Sequence, residues 1–148
     1  MFQGASAISL DAKGRLAIPT RYREEIQAQG GGRVVVTAHP HRCLLLYPHE
    51  TWQPLARRVM AAAGMDPRAS TIQQLLVGHA DEVEMDSAGR ILIAPTLRKL
   101  SGIERDVMMF GQGEFFKLWQ PEAWDRQFAE FGQLDPATLP AAFEGLVF

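Results

Sequence analysis

The chain has 148 residues, 47% of them apolar and 22% charged, and this composition excludes a disordered tail, a coiled-coil rod and a collagen-like repeat. Its apolar runs fall short of the ~18 residues of a membrane span, and its start does not resemble a secretory signal. The single cysteine, Cys43, cannot form an internal disulfide, and this cysteine usage indicates a reducing cytoplasm. The net charge of −2 argues weakly against nucleic acid, but it is the sum of +4 over residues 1–64 and −6 over residues 65–148.

In the first part of the chain, the residue pattern predicts two pairs of strands, each followed by a helix. Alternating or continuous apolar residues between turn residues indicate the strands, and proline at a first helical position indicates where each helix begins. The predicted elements are strands 7–10 and 15–18, a helix from Pro19 to Ile26, strands 33–37 and 43–47 joined by a turn at 38–42, and a helix that begins near Pro48.

The same order of elements is predicted again after a helical linker. The linker has Pro54 near its start and a break at residues 64–67. The later elements are strands 83–85 and 90–93, a helix from Pro95 to Leu100, strands 106–110 and 115–119 joined by a turn at 111–114, and a helix from Pro121. We expect an α+β fold whose core is dominated by sheet. The predicted domains are a first repeat at 1–53, the linker at 54–79, a second repeat at 80–126 and a tail at 127–148.

An internal duplication underlies this recurrence, and we call its halves the first and second copy. Four residues of the first copy recur 75 positions later: Asp11, Gly14, Arg15 and Ile18 become Asp86, Gly89, Arg90 and Ile93. We then infer a one-residue insertion, because Pro19-Thr20 matches Pro95-Thr96. The match continues at an offset of 72, where Tyr47, Glu50 and Trp52 become Trp119, Glu122 and Trp124. The two tryptophans are predicted to be core or interface residues.

Residues 11–15, the first turn, fit a three-residue hairpin loop in which a type I turn is followed by Gly14 in the left-handed region. Residues 86–90, the second turn, have the same pattern. This geometry places Asp11 opposite Arg15, and Asp86 opposite Arg90, as ion pairs. Such pairs can be purely structural: each contributes ~0.2–1 kcal/mol to stability, and duplicated folding requirements alone would repeat the pair in both copies.

The first turn has more basic surroundings than the second. Lys13 lies at its tip, where the second copy has Ala88, and Arg21 and Arg23 follow in the adjacent helix. A protruding hairpin with arginine and lysine can contact phosphates, a two-stranded ribbon fits the major groove, and arginine is suited to reading guanine. A solvated basic hairpin without a partner is the alternative.

The sequence resembles the MraZ family, bacterial regulators with two tandem AbrB-like (SpoVT-AbrB) domains. The segments LDAKGR and IPTRYRE, then MDSAGR and IAPTLR, carry the resemblance, as does VGHADEVEMDSAGRILIAP, and it covers residues 1 to about 130. The resemblance implies a duplicated AbrB-like swapped-hairpin β-barrel within one chain, with flanking helices. It also implies a transcriptional repressor that binds G-rich direct repeats upstream of the division and cell-wall gene cluster, including its own promoter. A ring-like homo-oligomer, associated with the nucleoid in the cytoplasm, is implied as well.

The resemblance also implies the site residues. Asp11 and Arg15, and Asp86 and Arg90, match the family's signature pairs, and Arg15 is the first candidate for a base or phosphate contact. The candidate DNA-binding residues are Arg15, Lys13, Arg21, Arg23 and Arg90. An antitoxin-like AbrB module, binding DNA through its barrel and a protein partner through its C-terminal tail, is the alternative function.

Other chemistries are disfavoured by the sequence. His39, His41 and Cys43 alternate along the chain, but no second cluster completes a zinc site, and Pro40 favours a turn. Cys43 lies in an apolar strand, where cysteine is usually a small buried residue. No nucleophile–base pair, Gly-Ser dipeptide or phosphate-binding glycine loop is present. We therefore expect no enzyme activity, no cofactor, no metal and no membrane partner.

Overall fold

The computed structural model describes residues 1–62, 64–135, 137–138 and 140–147. Within these residues the strands are Phe2–Ser9 (β1), Arg15–Ala17 (β2), Arg33–Ala38 (β3), Leu44–Pro48 (β4), Asp81–Glu84 (β5), Arg90–Leu92 (β6), Asp106–Gly113 (β7) and Phe116–Trp119 (β8). The helices are Thr20–Ala28 (α1), His49–Ala61 (α2), Pro67–Leu76 (α3), Pro95–Ser101 (α4) and Pro121–Phe131 (α5), with a 3-10 turn at Ala141–Phe143. The predicted α+β class is confirmed.

The two copies exchange strands. Six strands form one antiparallel sheet in the order β1-β7-β8-β4-β3-β5, in which β1 of the first copy pairs with β7 of the second, and β5 of the second pairs with β3 of the first. The remaining strands, β2 and β6, pair with each other and form a separate two-stranded sheet. Each copy therefore completes its sheet with a strand of the other.

The strand pairing does not close a barrel within the described residues. The six-stranded sheet is open, with β1 and β5 at its edges. The sheet stays open because β1 pairs with β2 only through the single bridge between Leu10 and Leu16. The ladder of β2 is formed with β6 instead. What the structure supports is a duplicated, mostly antiparallel sheet with helices packed on it.

The central strands separate two apolar cores. In β3 and β4, the side chains of consecutive residues point to opposite faces of the sheet. On one face Val36 and Leu46 belong to a core that also contains the buried residues of β2, β6, α1 and α4. On the other face Val35 and Tyr47 pack with Trp52 of α2. Because both faces are covered, β3 and β4 consist of nearly continuous apolar residues.

The linker differs from the prediction at its start. The helix predicted near Pro48 and the first part of the predicted linker form one helix, α2, which passes through Pro54. Packing of Trp52 against Tyr47 holds this helix on the sheet, and such tertiary contacts outweigh the cost of an internal proline. The predicted break is confirmed, because α2 ends at Ala61 and α3 begins at Pro67.

The turn between β3 and β4 contains a strained residue. His39 N–H donates to the Cys43 carbonyl at 3.0 Å and Arg42 N–H donates to the His39 carbonyl at 2.9 Å, the same hydrogen-bond pattern as a three-residue loop closed by glycine. Arg42 occupies the glycine position with φ of 63°. A residue with a Cβ is strained in the left-handed region, and this strain costs free energy that a glycine in the same conformation does not incur.

Replacing Arg42 with glycine should therefore relieve this backbone strain. We expect Arg42→Gly to raise the free energy of unfolding by about 1 kcal/mol relative to Arg42→Ala, which keeps a Cβ in the same conformation. Urea denaturation of both variants measures the difference. A glycine variant no more stable than the alanine variant would contradict the strain.

Candidate nucleic-acid interface

The first turn has the predicted geometry. Asp11 N–H donates to the Arg15 carbonyl at 2.9 Å, Gly14 N–H donates to the Asp11 carbonyl at 3.0 Å, and Gly14 has φ of 82°. The Asp11 carboxylate holds this loop together: Oδ1 accepts the amides of Lys13 and Arg15, both at 2.9 Å, and Oδ2 accepts Arg15 Nε at 2.7 Å. One carboxylate thus fixes both the backbone and the arginine side chain.

The second turn repeats this arrangement. Asp86 N–H donates to the Arg90 carbonyl at 2.9 Å, and Gly89 has φ of 76°. Arg90 Nε donates to Asp86 Oδ2 at 3.0 Å. Within the described residues, Arg15 and Arg90 use only Nε for side-chain hydrogen bonds, and their side chains are 29% and 38% exposed. The terminal amino groups of both arginines remain available to a ligand.

The two carboxylates are held in their ionised form. The pKa of Asp11 is lowered mainly because the Arg15 amide donates to it, with smaller contributions from the Arg15 guanidinium and the Lys13 amide. The pKa of Asp86 is lowered in the same way by the Arg90 amide. An ionised aspartate keeps each arginine side chain oriented, and this orientation would be lost only in acid.

The two turns lie at opposite ends of the β2–β6 pair, which we call the outer ribbon. Leu16 and Ile91 are its inward-facing residues and are buried in the core. Arg15 is opposite Leu92 and Ala17 is opposite Arg90, so the two arginines are diagonal neighbours on the outer face, with Cα atoms roughly 7–8 Å apart. Each turn keeps its own hairpin hydrogen bonds, and the ribbon that carries both arginines is built between the copies.

The other predicted candidates do not all join this ribbon. Lys13 is exposed at the tip of the first turn. Arg21 lies elsewhere, on the side of α1 that faces β1, where its terminal amino group donates to Ser6 Oγ at 2.7 Å and its guanidinium lies over the Tyr22 ring at 4.7 Å. Arg23 lies next to the second turn rather than its own, since its guanidinium is packed against Gly89.

Two arginines of the second copy lie at the first turn and were not among the predicted site residues. Arg98 donates from Nε to the Ile93 carbonyl at 3.1 Å and places its guanidinium against Gly14. The backbone carbonyl of Arg105 accepts the amide of Leu10 at 2.7 Å, which places Arg105 beside the start of the same turn. The repeat offset could have identified Arg98, because Arg98 follows Arg23 by 75 residues.

This equivalence corrects the inferred one-residue insertion. Arg23 Nε donates to the Ile18 carbonyl at 2.8 Å, as Arg98 Nε does to the Ile93 carbonyl. The helices α1 and α4 also begin 75 residues apart, at Thr20 and Pro95. The offset therefore continues unchanged into the helices, and the match of the two Pro-Thr pairs is displaced by one position from the structural equivalence.

The histidine–cysteine segment forms a turn. His39 Nδ1 accepts the His41 amide at 3.0 Å, and burial, with a smaller contribution from Lys117, lowers the pKa of His39 to about 4. Burial raises the pKa of the Cys43 thiol to about 11. Among the described residues, no three or more His, Cys, Asp or Glu side chains are grouped to hold a metal ion. In that same part of the chain, no helix has the length and apolar character to span a membrane.

Comparison with known proteins gives consistent results along the whole chain. A family model described as "MraZ protein, putative antitoxin-like" matches residues 1–75 and again residues 76–142. The chain is 48% identical over 145 residues to a protein of Methylobacillus flagellatus named transcriptional regulator MraZ, covering 98% of each chain. Proteins of the same name from Dechloromonas aromatica and Aromatoleum aromaticum are each 48% identical, with 99% of each chain covered.

The origin of the Asp11 pKa can be tested by carboxyl NMR titration. The Arg15→Ala variant removes the guanidinium but keeps the amide that lowers the pKa most, so we expect the pKa of Asp11 to rise part of the way and stay below its ordinary value. Folding stability supplied by this carboxylate is present above the ordinary pKa and is lost as the pH falls through the lowered one. Arg90→Ala is the matched control and should leave Asp11 unchanged. Full return of Asp11 to its ordinary pKa would show that the guanidinium dominates instead.

Proposed function

Because the chain belongs to the MraZ family, we propose that it is a sequence-specific DNA-binding transcriptional regulator. Its proposed role is repression of the division and cell-wall gene cluster, including its own promoter, through G-rich direct repeats. It would act in the cytoplasm, associated with the nucleoid. The chain is not an enzyme: it belongs to a family whose matched relatives are named transcriptional regulators.

The observation that carries this proposal is the outer ribbon with its two oriented arginines. A two-stranded ribbon can enter the major groove of B-DNA, which is about 12 Å wide. Arg15 and Arg90 lie on the outward face of this ribbon, each held by an aspartate through Nε alone. Their free terminal amino groups could donate to guanine O6 and N7 or to phosphate oxygens. We therefore propose these two arginines as base or phosphate contacts.

We propose that the first turn supplies most of the DNA affinity. Lys13 is exposed at its tip and Arg105 of the second copy lies beside it, whereas Arg98 packs on the turn itself, as Arg23 does at the second turn. The second turn has Ala88 at its tip and Arg23 beside it. Since binding to phosphates grows with the number of neighbouring cations, the first turn is the stronger electrostatic partner. Arg21, which lies on the β1 side, would contribute only through the wider positive field.

We also propose that the outer ribbon and the sheet correspond to the swapped-hairpin barrel of AbrB-like proteins, with domain boundaries near residues 53 and 80. A further proposal is that several chains assemble into a ring. Exposed apolar side chains support the assembly, since Phe128 on α5 is 62% exposed and Leu146 in the tail is 58% exposed. A single ribbon offers few phosphate contacts. A ring that engages direct repeats would gain affinity by raising the effective concentration of the second contact.

Substitution of Arg15 tests the DNA contact. We expect Arg15→Ala to weaken binding to a duplex with G-rich direct repeats by about 1–3 kcal/mol, and Arg90→Ala to weaken it less. A fluorescence-anisotropy titration at several salt concentrations measures both the affinity and the salt slope, which should be steep and negative.

The control for this titration is Arg57→Ala, because Arg57 is an exposed arginine of α2, a helix on the opposite face of the sheet from the outer ribbon. Its loss should leave the affinity unchanged within error. If Arg15→Ala and Arg57→Ala have equal effects, the ribbon is not the DNA contact. Equal affinity for scrambled repeats would reduce the function to nonspecific DNA association.

Analytical ultracentrifugation tests the ring. We expect a mass several times the 16.4 kDa of one chain at micromolar concentration, and we expect Phe128→Glu to reduce it because the substitution places a charge in an exposed apolar patch. Met65→Glu, at a fully exposed methionine between α2 and α3, is the matched control. A monomeric protein that still binds repeat DNA tightly would rule out the proposal that a ring raises the affinity by engaging several repeats.

A further inference from the structure

We propose that Arg98 is a positioning residue for the first turn, so that the DNA-binding loop of one copy is braced by an arginine of the other. The inference rests on the proposed function, because it assigns Arg98 a role in orienting Arg15 toward DNA. Arg98 is in α4 of the second copy, whereas the first turn belongs to the first copy. The brace would make the DNA affinity of the first turn depend on the second copy, whether or not the second turn touches DNA.

Close packing between Arg98 and Gly14 carries the proposal. A Cβ placed on Gly14 would lie 3.0 Å from Arg98 Cζ and 3.2 Å from its Nε, so the guanidinium fills the space that a side chain would take. Gly14 itself is buried, and its carbonyl accepts the amide of Ile93 at 3.0 Å. The first turn is thus held on one side by Asp11 and on the other by two groups of the second copy.

Arg98 is itself anchored where its guanidinium packs against Gly14, whereas the three atoms nearest to a Cβ on either turn glycine belong to neither Arg15 nor Arg90. Its Nε donates to the Ile93 carbonyl at 3.1 Å, which fixes the plane of the guanidinium against the turn. A planar group held in this way supports a backbone surface, which a lysine ammonium on a flexible stem cannot do. The contact is better suited to holding Gly14 in its left-handed conformation than to reaching phosphate.

The same contact exists in reverse at the second turn. The guanidinium of Arg23, in α1 of the first copy, packs against Gly89, and the Gly89 carbonyl accepts the amide of Ile18 at 2.8 Å. Arg23 Nε is anchored to the Ile18 carbonyl. Two equivalent braces, formed by residues 75 positions apart, argue that the packing is a property of the paired copies and not an accident of one loop.

A double-mutant cycle separates positioning from direct contact. We expect Arg98→Ala to weaken binding to repeat DNA about fivefold in the wild-type background and less than about twofold in the Arg15→Ala background. This non-additivity is expected because Arg98 acts through the turn that carries Arg15. Equal losses in both backgrounds would show that Arg98 binds phosphate by itself and would overturn the proposal.

The free protein gives a second, DNA-independent measurement. We expect Arg98→Ala to speed hydrogen exchange of the Gly14 amide, which donates to the Asp11 carbonyl, and to leave the Gly89 amide unchanged. Arg98→Lys should restore little protection, since lysine lacks the planar group. Lys99→Ala is the matched control, because Lys99 is an exposed cation of the same helix, whereas the three atoms nearest to a Cβ on Gly14 all belong to Arg98.

The two measurements have distinguishable failures. If Arg15→Ala leaves DNA affinity unchanged, the proposed function fails, and hydrogen exchange at Gly14 still reports whether Arg98 braces the turn. If Gly14 exchanges at the wild-type rate in Arg98→Ala, the brace is wrong, even where Arg15 proves to be a DNA contact.

Discussion

The pairing of β2 with β6 is the constraint on which the rest of the structure depends. Each of these strands is only three residues long, so neither is stable alone. Together they bury Leu16 and Ile91 in the main core and direct Arg15 and Arg90 outward. The surface proposed for DNA and the packing of the core are thus two faces of one ladder that neither copy can form alone.

Much of this arrangement could be predicted from the sequence because it depends on local chemistry. Asp11, Gly14 and Arg15 specify a turn whose hydrogen bonds all lie within five residues, and the turn has that geometry. The strands and the break between α2 and α3 are likewise marked by apolar patterns and proline. Partner choice is different, because alternation shows which face of a strand is buried and does not show which strand lies beside it.

The missed contacts follow from the same limit. The pairing of β1 with β7 brings Arg105 to the first turn, and the pairing of β2 with β6 brings Arg98 there, although both arginines are more than 80 residues distant in the chain. The net charge of −2 was uninformative for a related reason. Electrostatic attraction to a polyanion depends on cations that share a surface, and here chain segments from both copies build that surface.

The covalent link between copies has a consequence for symmetry. If two separate chains formed the same exchanged sheet, their turns would be identical, and any residue gained at one tip would be gained at both. Here the helical segment from α2 to α3 joins the halves. The tip of the first turn carries Lys13, whereas the equivalent position of the second turn carries Ala88. If the outer ribbon binds DNA as proposed, the fused pair is asymmetric, and its more basic first turn would distinguish the two directions along a DNA duplex.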